Sequence, residues 1–170
     1  MTELLTERLR LRPLAEEDLD ALYALYSDPR VASWIGHHGR EDVAVELSFH
    51  VAHWARFGWG FWAVEELADG RLIGDCGLQP IARVGPEVEL GYELDPTRWG
   101  AGLGTEAARA AVEYGLETLR VERIVAVVKH ANLASQRVLE KAGQSHAGER
   151  DAYGERMLLY EVRAGMPELR

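Results

Sequence analysis

The first half of the chain alternates between strand-like and helix-like spacing of its apolar residues. Arginine and leucine alternate over residues 8–12, which predicts a half-buried strand. Apolar side chains recur at helical spacing over residues 15–27 and 41–57, so both segments are predicted helices. Three strands are predicted to follow, over 60–66, 71–78 and 87–94.

The second half of the chain begins with a helix and ends in a pair of strands. After residue 105, apolar positions at helical spacing extend to Leu119 and predict a helix with one buried side. The continuous apolar run in residues 123–128 is typical of a central strand covered on both faces. Asn132 is placed to cap a short helix that Gly143 ends. The last two strands are predicted over 144–150 and 156–163.

This order of elements predicts an α+β fold. A meander of antiparallel strands leads into a β-α-β crossover, which gives a mixed sheet. A doubly wound sheet, in which strands and helices alternate throughout, is disfavoured. No repeat, low-complexity tract or linker interrupts the 170 residues, so we expect one domain over 1–170.

Composition and charge narrow the class of protein. Hydrophobic residues make up 47% of the chain and charged residues 28%, as in ordinary globular proteins. The net charge of −9 argues against a nucleic-acid binder, which needs a basic face. It is compatible with a cationic acceptor such as an amine, and the alternative is that the acidity only keeps the protein soluble. No apolar run approaches the ~20 residues of a membrane span, and an acidic residue stands where a signal peptide carries basic ones. The single cysteine, Cys76, fits a reducing compartment, so a cytoplasmic protein is expected.

Three glycines at alternate positions, Gly100, Gly102 and Gly104, stand where a predicted strand gives way to a helix. The first backbone N–H groups of a helix lack partners, and the helix dipole favours negative charge there. A helix start without side chains therefore suits a phosphate or diphosphate group. A plain glycine-rich turn is the alternative that the loop alone leaves open.

Two common phosphate-binding loops do not fit this pattern. A Walker A loop requires a lysine before its Ser or Thr, but Gly104 precedes Thr105 here. The dinucleotide fingerprint is G-x-G-x-x-G, with an acid at the end of the next strand. Here the spacing is G-x-G-x-G, and Glu122 stands at the start of that strand. A nucleoside triphosphatase and a dinucleotide-binding enzyme are both disfavoured.

A second motif, Asn132-Leu133-Ala134-Ser135, follows the glycine loop after about thirty residues. Together with the order of elements, the two motifs resemble the GNAT superfamily of acyl-CoA-dependent N-acetyltransferases, over nearly the whole chain. The segments that carry the resemblance look like the branch that acetylates ribosomal-protein N-termini and its small-amine relatives. These segments are 5–12, 58–64, 73–78, 89–92 and 156–160.

The resemblance implies a mixed, mostly antiparallel sheet of seven strands, about four helices and a splayed pair of central strands. It also implies that backbone amides of the loop bind the diphosphate of acetyl-CoA, and that the pantetheine arm lies beside residues 92–94. The family's loop begins with Gln or Arg, whereas this chain has Trp99 there and keeps the backbone cradle. The cofactor-binding residues predicted in this way are Tyr92, Leu94, Trp99, Gly100, Ala101, Gly102, Leu103, Gly104, Thr105, Asn132, Ser135 and Lys141.

Acetyl transfer to an amine requires a base for the amine, and the departing thiolate takes up a proton. Glu87 and Glu89 lie two residues apart, so both are on one face of their strand. Glu89 is our candidate base, acting through water. The alternative is that both acids belong to a solvated strand face. Many family members use a tyrosine as acid at the position of Leu139. In the branch that this chain resembles, the serine at the position of Ser135 is proposed for that role. Asn132 would serve pantetheine amides or an ordered water, or only cap its helix.

The acceptor is expected to be a primary amine, on a small molecule or a protein N-terminus. Its pocket is expected from loops around residues 28–40 and 150–156, with Trp34, Trp59 and Phe61 as candidate walls. Dimers are common in the family, so a homodimer is among the expectations, and no metal is expected. The alternatives are a non-catalytic module that senses acyl-CoA and an interaction subunit that keeps only the scaffold.

Overall fold

Eight strands and five α-helices occupy residues 2–165, the part of the chain that this computed structural model describes. The strands are β1 (Leu4–Leu5), β2 (Leu9–Pro13), β3 (Phe61–Glu66), β4 (Leu72–Pro80), β5 (Val88–Leu94), β6 (Arg123–Val128), β7 (Ser145–Ala152) and β8 (Glu155–Arg163). The helices are α1 (Leu19–Ser27), α2 (Pro29–Ile35), α3 (Arg40–Phe57), α4 (Leu103–Glu113) and α5 (Leu133–Lys141).

The chain divides into two compact units, and both β4 and β5 contribute to each of them. The first unit comprises the chain up to Gly77 together with Tyr92–Ala107. The second comprises Leu78–Gly91 and the chain from Ala108 onward. Within residues 2–165, every helix falls short of the length and apolarity that a membrane crossing requires.

In the first unit, the strand order is β1-β2-β3-β4-β5, with antiparallel pairing from β1 to β4. The leucines of β2 are fully buried, whereas Arg10 and Arg12 reach Glu65 on β3, so the predicted alternation is confirmed. Helices α1, α2 and α3 cover one face of this sheet. Their buried side chains form a core with Phe61 and Ala63 of β3.

Two elements of the first unit differ from the sequence prediction. Residues 28–40 contain helix α2, so the prediction of a loop there is wrong. Asp28 and Pro29 are the sequence signal for the start of this helix. The Asp28 side chain accepts a hydrogen bond from the backbone N–H of Arg30 at 2.9 Å, and Pro29 occupies the first helical position. Leu4–Leu5 pairs with β2 and adds an eighth strand to the seven predicted. Helix α2 likewise makes five helices where about four were expected.

In the second unit, the strand order is β4-β5-β6-β8-β7. β6 runs antiparallel to β8, which forms a hairpin with β7. β5 and β6 are parallel, so the sheet is mixed and mostly antiparallel, as predicted. The ladder between them joins Val88 to Ile124 and Glu89 to Val125. Among the described residues of this unit, the pairing of β5 with β6 ends at Glu89. This agrees with the expected separation of β5 from β6.

Candidate functional site

The glycine loop of the first unit has a backbone that only glycine adopts easily. Gly100 and Gly102 have φ of +79° and +82°, in the left-handed region. Helix α4 starts at Leu103, and the N–H of Glu106 bonds to the carbonyl oxygen of Gly102 at 3.1 Å. The amides of the preceding turn therefore have no partner within the helix. A Cβ at Gly100 would meet no atom within 4 Å, so this side of the loop is open, and a helix start of this kind suits an anionic group.

Trp99 connects this loop to the end of β5. Its indole Nε1 donates a hydrogen bond to the carbonyl oxygen of Leu94 at 2.9 Å, and its side chain is 47% exposed. Leu94 itself is buried, and Tyr92 is half-buried. Trp99 therefore fixes the entry to the loop through the backbone of β5. It does not supply the polar side chain that Gln or Arg would bring.

Three residues near this loop were missed by the sequence analysis. The side chains of Thr6 and Arg8, on the turn between β1 and β2, both contact Glu106 in the first turn of α4. Arg8 also donates to the carbonyl oxygen of Ala101 at 2.9 Å. Nothing in the local sequence indicates these contacts, because they join residues 93 to 100 positions apart.

Glu89, in the second unit, is a buried carboxylate. Only 4% of its surface is exposed, so the alternative of a solvated strand face does not hold. Its Oε2 accepts hydrogen bonds from the hydroxyl of Tyr153 and from Nε2 of Gln79, the latter at 3.2 Å. Burial raises the pKa of Glu89 above its ordinary value, while these two hydrogen bonds lower it; the net shift is upward. A buried carboxyl with a raised pKa is a candidate for proton transfer.

Tyr153 is the residue of this site that sequence reasoning missed. It lies in the turn between the last two strands, where it has φ of +52°. Burial raises the pKa of Tyr153, and the nearby charge of Glu89 raises it further, so the phenol stays protonated and can donate. Its side chain is 54% exposed. Tyr153 therefore links the buried Glu89 carboxylate to the surface of the second unit.

Glu87 lies on the same strand face as Glu89 but has a different environment. It pairs with Arg123 and, through Oε2, with Nη2 of Arg150 at 2.5 Å. Both oxygens of this carboxylate are therefore engaged by guanidinium groups. Of the two neighbouring acids, Glu89 has the chemistry of a base.

A strained turn adjoins Glu89. Ala82 and Arg83 have φ of +49° and +62°, values that non-glycine residues adopt at a cost of about 1–2 kcal/mol each. A backbone hydrogen bond from Ala82 is among the interactions that lower the pKa of Glu89. Strain of this kind concentrates at functional sites, where surrounding structure holds it in place.

Asn132 and Ser135 lie together at the start of α5. The Asn132 side chain accepts a hydrogen bond from the backbone N–H of Ser135 at 3.1 Å, so the predicted helix cap is confirmed. The Ser135 side chain is half-buried. Leu139, at the position of the family's tyrosine, is buried. At the other end of α5, Lys141 is exposed, and its carbonyl oxygen accepts a hydrogen bond from Arg109.

The three candidate walls of the acceptor groove lie in the first unit with different exposure. Trp34 on α2 and Trp59 before β3 are half-buried, and the Trp59 ring packs edge-on against His53 at 4.6 Å. Phe61 is 5% exposed and stacks on the ring of His50 at 4.5 Å. Phe61 therefore belongs to the core and presents little surface to an acceptor. Trp34 and Trp59 keep accessible surface.

A buried acid in the first unit was not singled out by the sequence. Asp75 on β4 is fully buried and accepts a hydrogen bond from the hydroxyl of Tyr26 on α1. Burial raises the pKa of Asp75, whereas hydrogen bonds with Glu93 and Tyr26 lower it; the net shift is upward. The neighbouring thiol of Cys76 is also fully buried, and burial raises its pKa. A thiol in this state is inert as a nucleophile. Residues 2–165 contain no group of three or more His, Cys, Asp or Glu side chains placed to hold a metal ion.

Comparison with known proteins agrees with this geometry. Residues 8–145 match the acetyltransferase (GNAT) domain family. The protein named uncharacterized N-acetyltransferase YoaA, from Bacillus subtilis (strain 168), is 32% identical over 147 residues, covering 84% of this chain and 82% of that protein. Spermidine N(1)-acetyltransferase of Escherichia coli (strain K12) is 30% identical over 147 residues, covering 83% and 75%. The crystal structure of an acetyltransferase from Agrobacterium tumefaciens str. C58 has a TM-score of 0.83 and 30% identity, covering 96% of this chain and 95% of that one.

The chain belongs to the GNAT family of acetyltransferases. The fold expected from the resemblance is confirmed, with one strand and one helix more than foreseen. The protein is an acetyl-CoA-dependent N-acetyltransferase.

Proposed function

We propose that this enzyme transfers the acetyl group of acetyl-CoA directly to a primary amine, without a covalent enzyme intermediate. The acceptor is a small-molecule amine or a protein N-terminus such as that of a ribosomal protein. The relative that acts on spermidine supports a cationic amine, as does the net charge of −9. The observation that carries the proposed chemistry is the buried Glu89 carboxylate with its hydrogen-bonding partners Tyr153 and Gln79.

Glu89 is the proposed base. A lysine-like amine has a pKa near 10.4 and an N-terminal amine near 8, so most of the acceptor arrives as an ammonium ion at neutral pH. Burial raises the pKa of Glu89, which brings its proton affinity closer to that of the amine. The bonds from Tyr153 and Gln79 keep the side chain oriented. Glu89 then takes the ammonium proton through a water molecule and leaves the free amine to attack the thioester carbonyl.

The proposed acetyl-CoA site uses backbone groups for binding. Amides of Trp99–Thr105 bind the diphosphate, and a backbone N–H in the Tyr92–Leu94 segment meets the thioester oxygen and stabilises the charge that develops there. The open space above Gly100 supports this role for the loop. Lys141 is exposed and adds a cation for a phosphate of the same molecule. Asn132 is assigned to the pantetheine amides, although its Oδ1 already serves the helix cap.

Ser135 is the proposed proton donor to the departing thiolate. A thiol has a pKa near 8.5 and a serine hydroxyl is a far weaker acid, so the gain from a hydrogen bond to sulfur is modest. With Leu139 buried at the family's tyrosine position, Ser135 is our candidate for this role.

Replacing Ser135 with alanine is expected to lower turnover and leave the affinity for coenzyme A nearly unchanged. The cap of α5 uses the backbone N–H of Ser135 and not its hydroxyl, so the helix start persists in the variant. Steady-state kinetics give kcat, and calorimetry with coenzyme A gives the affinity. Wild-type turnover in Ser135→Ala would remove Ser135 from the mechanism.

Replacing Tyr153 with phenylalanine is expected to shift the acid limb of the pH profile of kcat/KM to higher pH. The hydroxyl of Tyr153 donates to Glu89 and lowers its pKa, so removing the hydroxyl raises that pKa further. Ionised Glu89 is the active base, so activity is then lost at a higher pH than in the wild type. Tyr160→Phe is the matched control, since the Tyr160 hydroxyl faces Glu140. An acid limb that stays in place in Tyr153→Phe contradicts the coupling.

The acceptor class is tested by free-thiol release from acetyl-CoA with a panel of amines. The panel includes spermidine, single primary amines and peptides with free N-termini. Turnover with polyamines only would assign a small-molecule acceptor, and turnover with peptides only would assign a protein N-terminus. Release of thiol with none of them, while coenzyme A still binds in calorimetry, would contradict the proposed acceptor.

A cytoplasmic location and a homodimer complete the proposal. The lone Cys76 supports a reducing compartment. The homodimer comes from the resemblance to the family, and sedimentation of the purified enzyme measures it directly.

A further inference from the structure

We propose that Arg8 is a positioning residue for acetyl-CoA binding, acting on the glycine loop from the turn between β1 and β2. This inference rests on the proposal that the loop of residues 99–105 binds the diphosphate. The positioning cluster consists of Thr6, Arg8 and Glu106, all within the first unit.

Both oxygens of the Glu106 carboxylate are held from the β1–β2 turn. Oε1 accepts from the Thr6 hydroxyl at 2.6 Å and from the backbone N–H of Arg8 at 2.8 Å. Oε2 accepts from Arg8 Nε and pairs with Arg8 Nη2, both at 2.7 Å. This two-pronged contact places two guanidinium donors of Arg8 on a single carboxylate oxygen, which orients the pair better than one donor would. The first turn of α4 is thereby fixed to the β1–β2 turn, which is remote in sequence.

Arg8 also holds the loop itself. Its Nη1 donates to the carbonyl oxygen of Ala101 at 2.9 Å, between the two glycines with left-handed φ. Its Nη2 lies 3.5 Å from the position that a Cβ of Gly102 would take. A loop that contains several glycines has many backbone conformations to lose on binding a ligand. Fixing Ala101 before the ligand arrives removes part of that loss, which favours binding.

The positioning cluster also offsets the negative charge of Glu106, which disfavours diphosphate binding. Glu106 stands in the first turn of α4, where its negative charge opposes the approach of a diphosphate. Partial burial raises the pKa of Glu106, but the hydrogen bonds from Thr6 and Arg8 outweigh it and lower the pKa overall, so the carboxylate stays charged. The Arg8 cation offsets that charge at a distance of 2.7 Å.

Stability alone does not account for this arrangement. The Arg8 side chain is 47% exposed, so solvent screens its ion pair with the 16%-exposed Glu106 side chain, and the pair contributes only modestly to the free energy of unfolding. The same three residues, however, set the position of a loop carbonyl and of the helix start that borders it. This chain has Trp99 where the family's loop begins with Gln or Arg. Arg8 compensates for that missing polar side chain by holding the loop backbone at Ala101.

The test compares two acyl donors with the Arg8→Met enzyme. Acetyl-CoA carries the diphosphate, whereas S-acetylpantetheine lacks it. We expect the KM for acetyl-CoA to rise on the order of tenfold, the effect of losing a charge-assisted contact to a positioned group, with kcat preserved. The KM for S-acetylpantetheine is expected to stay at the wild-type value. Arg10→Met is the matched control, because Arg10 lies two residues away and pairs with Glu3 and Glu65.

Two further variants keep the test decisive. Arg8→Lys preserves the charge but not the two-pronged geometry, so an intermediate KM for acetyl-CoA is expected; it replaces Arg8→Met if that variant fails to fold. The double variant Arg8→Met/Glu106→Gln is expected to lose no more than Arg8→Met, since the two residues act together. An unchanged KM for acetyl-CoA, or equal losses with both donors, overturns the inference. A wild-type enzyme that uses neither donor instead overturns the proposed function.

Discussion

Replacing Gly102 with glutamate is expected to weaken the binding of acetyl-CoA on the order of 10²-fold or more. The reason is charge repulsion: two unit charges about 5 Å apart repel by about 3 kcal/mol at an effective dielectric constant of about 20. The new carboxylate would stand beside the start of α4, where the diphosphate is proposed to bind. Arg8 cannot neutralise it readily, because its nitrogens already serve Glu106 and Ala101. Calorimetry with coenzyme A measures the loss.

Two controls separate charge from backbone strain. Gly102→Ala keeps the left-handed φ of +82° and adds only a Cβ at an ordinary contact distance of 3.5 Å from Arg8. Gly58→Glu adds the same charge at an exposed glycine with φ of +74° that ends α3. Both are expected to bind coenzyme A far better than Gly102→Glu. If Gly102→Glu binds coenzyme A with wild-type affinity, the loop does not hold the diphosphate.

Elements with a local signal could be predicted from the sequence. The apolar run of 123–128 is strand β6 with the same bounds, and Asn132 caps α5. Helix α2 had a local signal too, in Asp28 and Pro29, but it lies among residues expected to form a loop. The two-residue strand β1 is too short for a periodic pattern to reveal.

The environment of the candidate site depends on contacts that no local pattern reports. Glu89 could be chosen from the strand face that it shares with Glu87, but its hydrogen-bond partners are Gln79 and Tyr153, and Tyr153 lies 64 residues away. The contact between Arg8 and Glu106 spans 98 residues. Alternation in β2 indicates only that Arg10 and Arg12 face away from the buried leucines. Which acid each arginine meets is decided by tertiary packing.

Replacing Glu89 with glutamine is expected to lower kcat/KM at neutral pH by about 10²-fold or more, the usual contribution of a positioned general base. Glutamine has the same shape, and its carbonyl oxygen can still accept from Tyr153 and Gln79, so the fold is preserved. What is lost is the capacity to take a proton. Rates with an N-terminal-type amine, whose pKa near 8 lies inside the range, followed by thiol release from pH 6 to 10, measure the effect.

The shape of that pH profile identifies the role of Glu89. Below the pKa of the amine, the acceptor is an ammonium ion and needs a base; above it, the free amine is abundant and the variant should recover. Burial raises the pKa of Glu89, so the wild type is expected to lose activity at a higher pH than a solvent-exposed glutamate would allow. Glu87→Gln is the control: its carboxylate already pairs with Arg123 and Arg150, so the profile should keep its wild-type shape. A loss in Glu89→Gln that is equal at every pH means that Glu89 orders the site and is not the base.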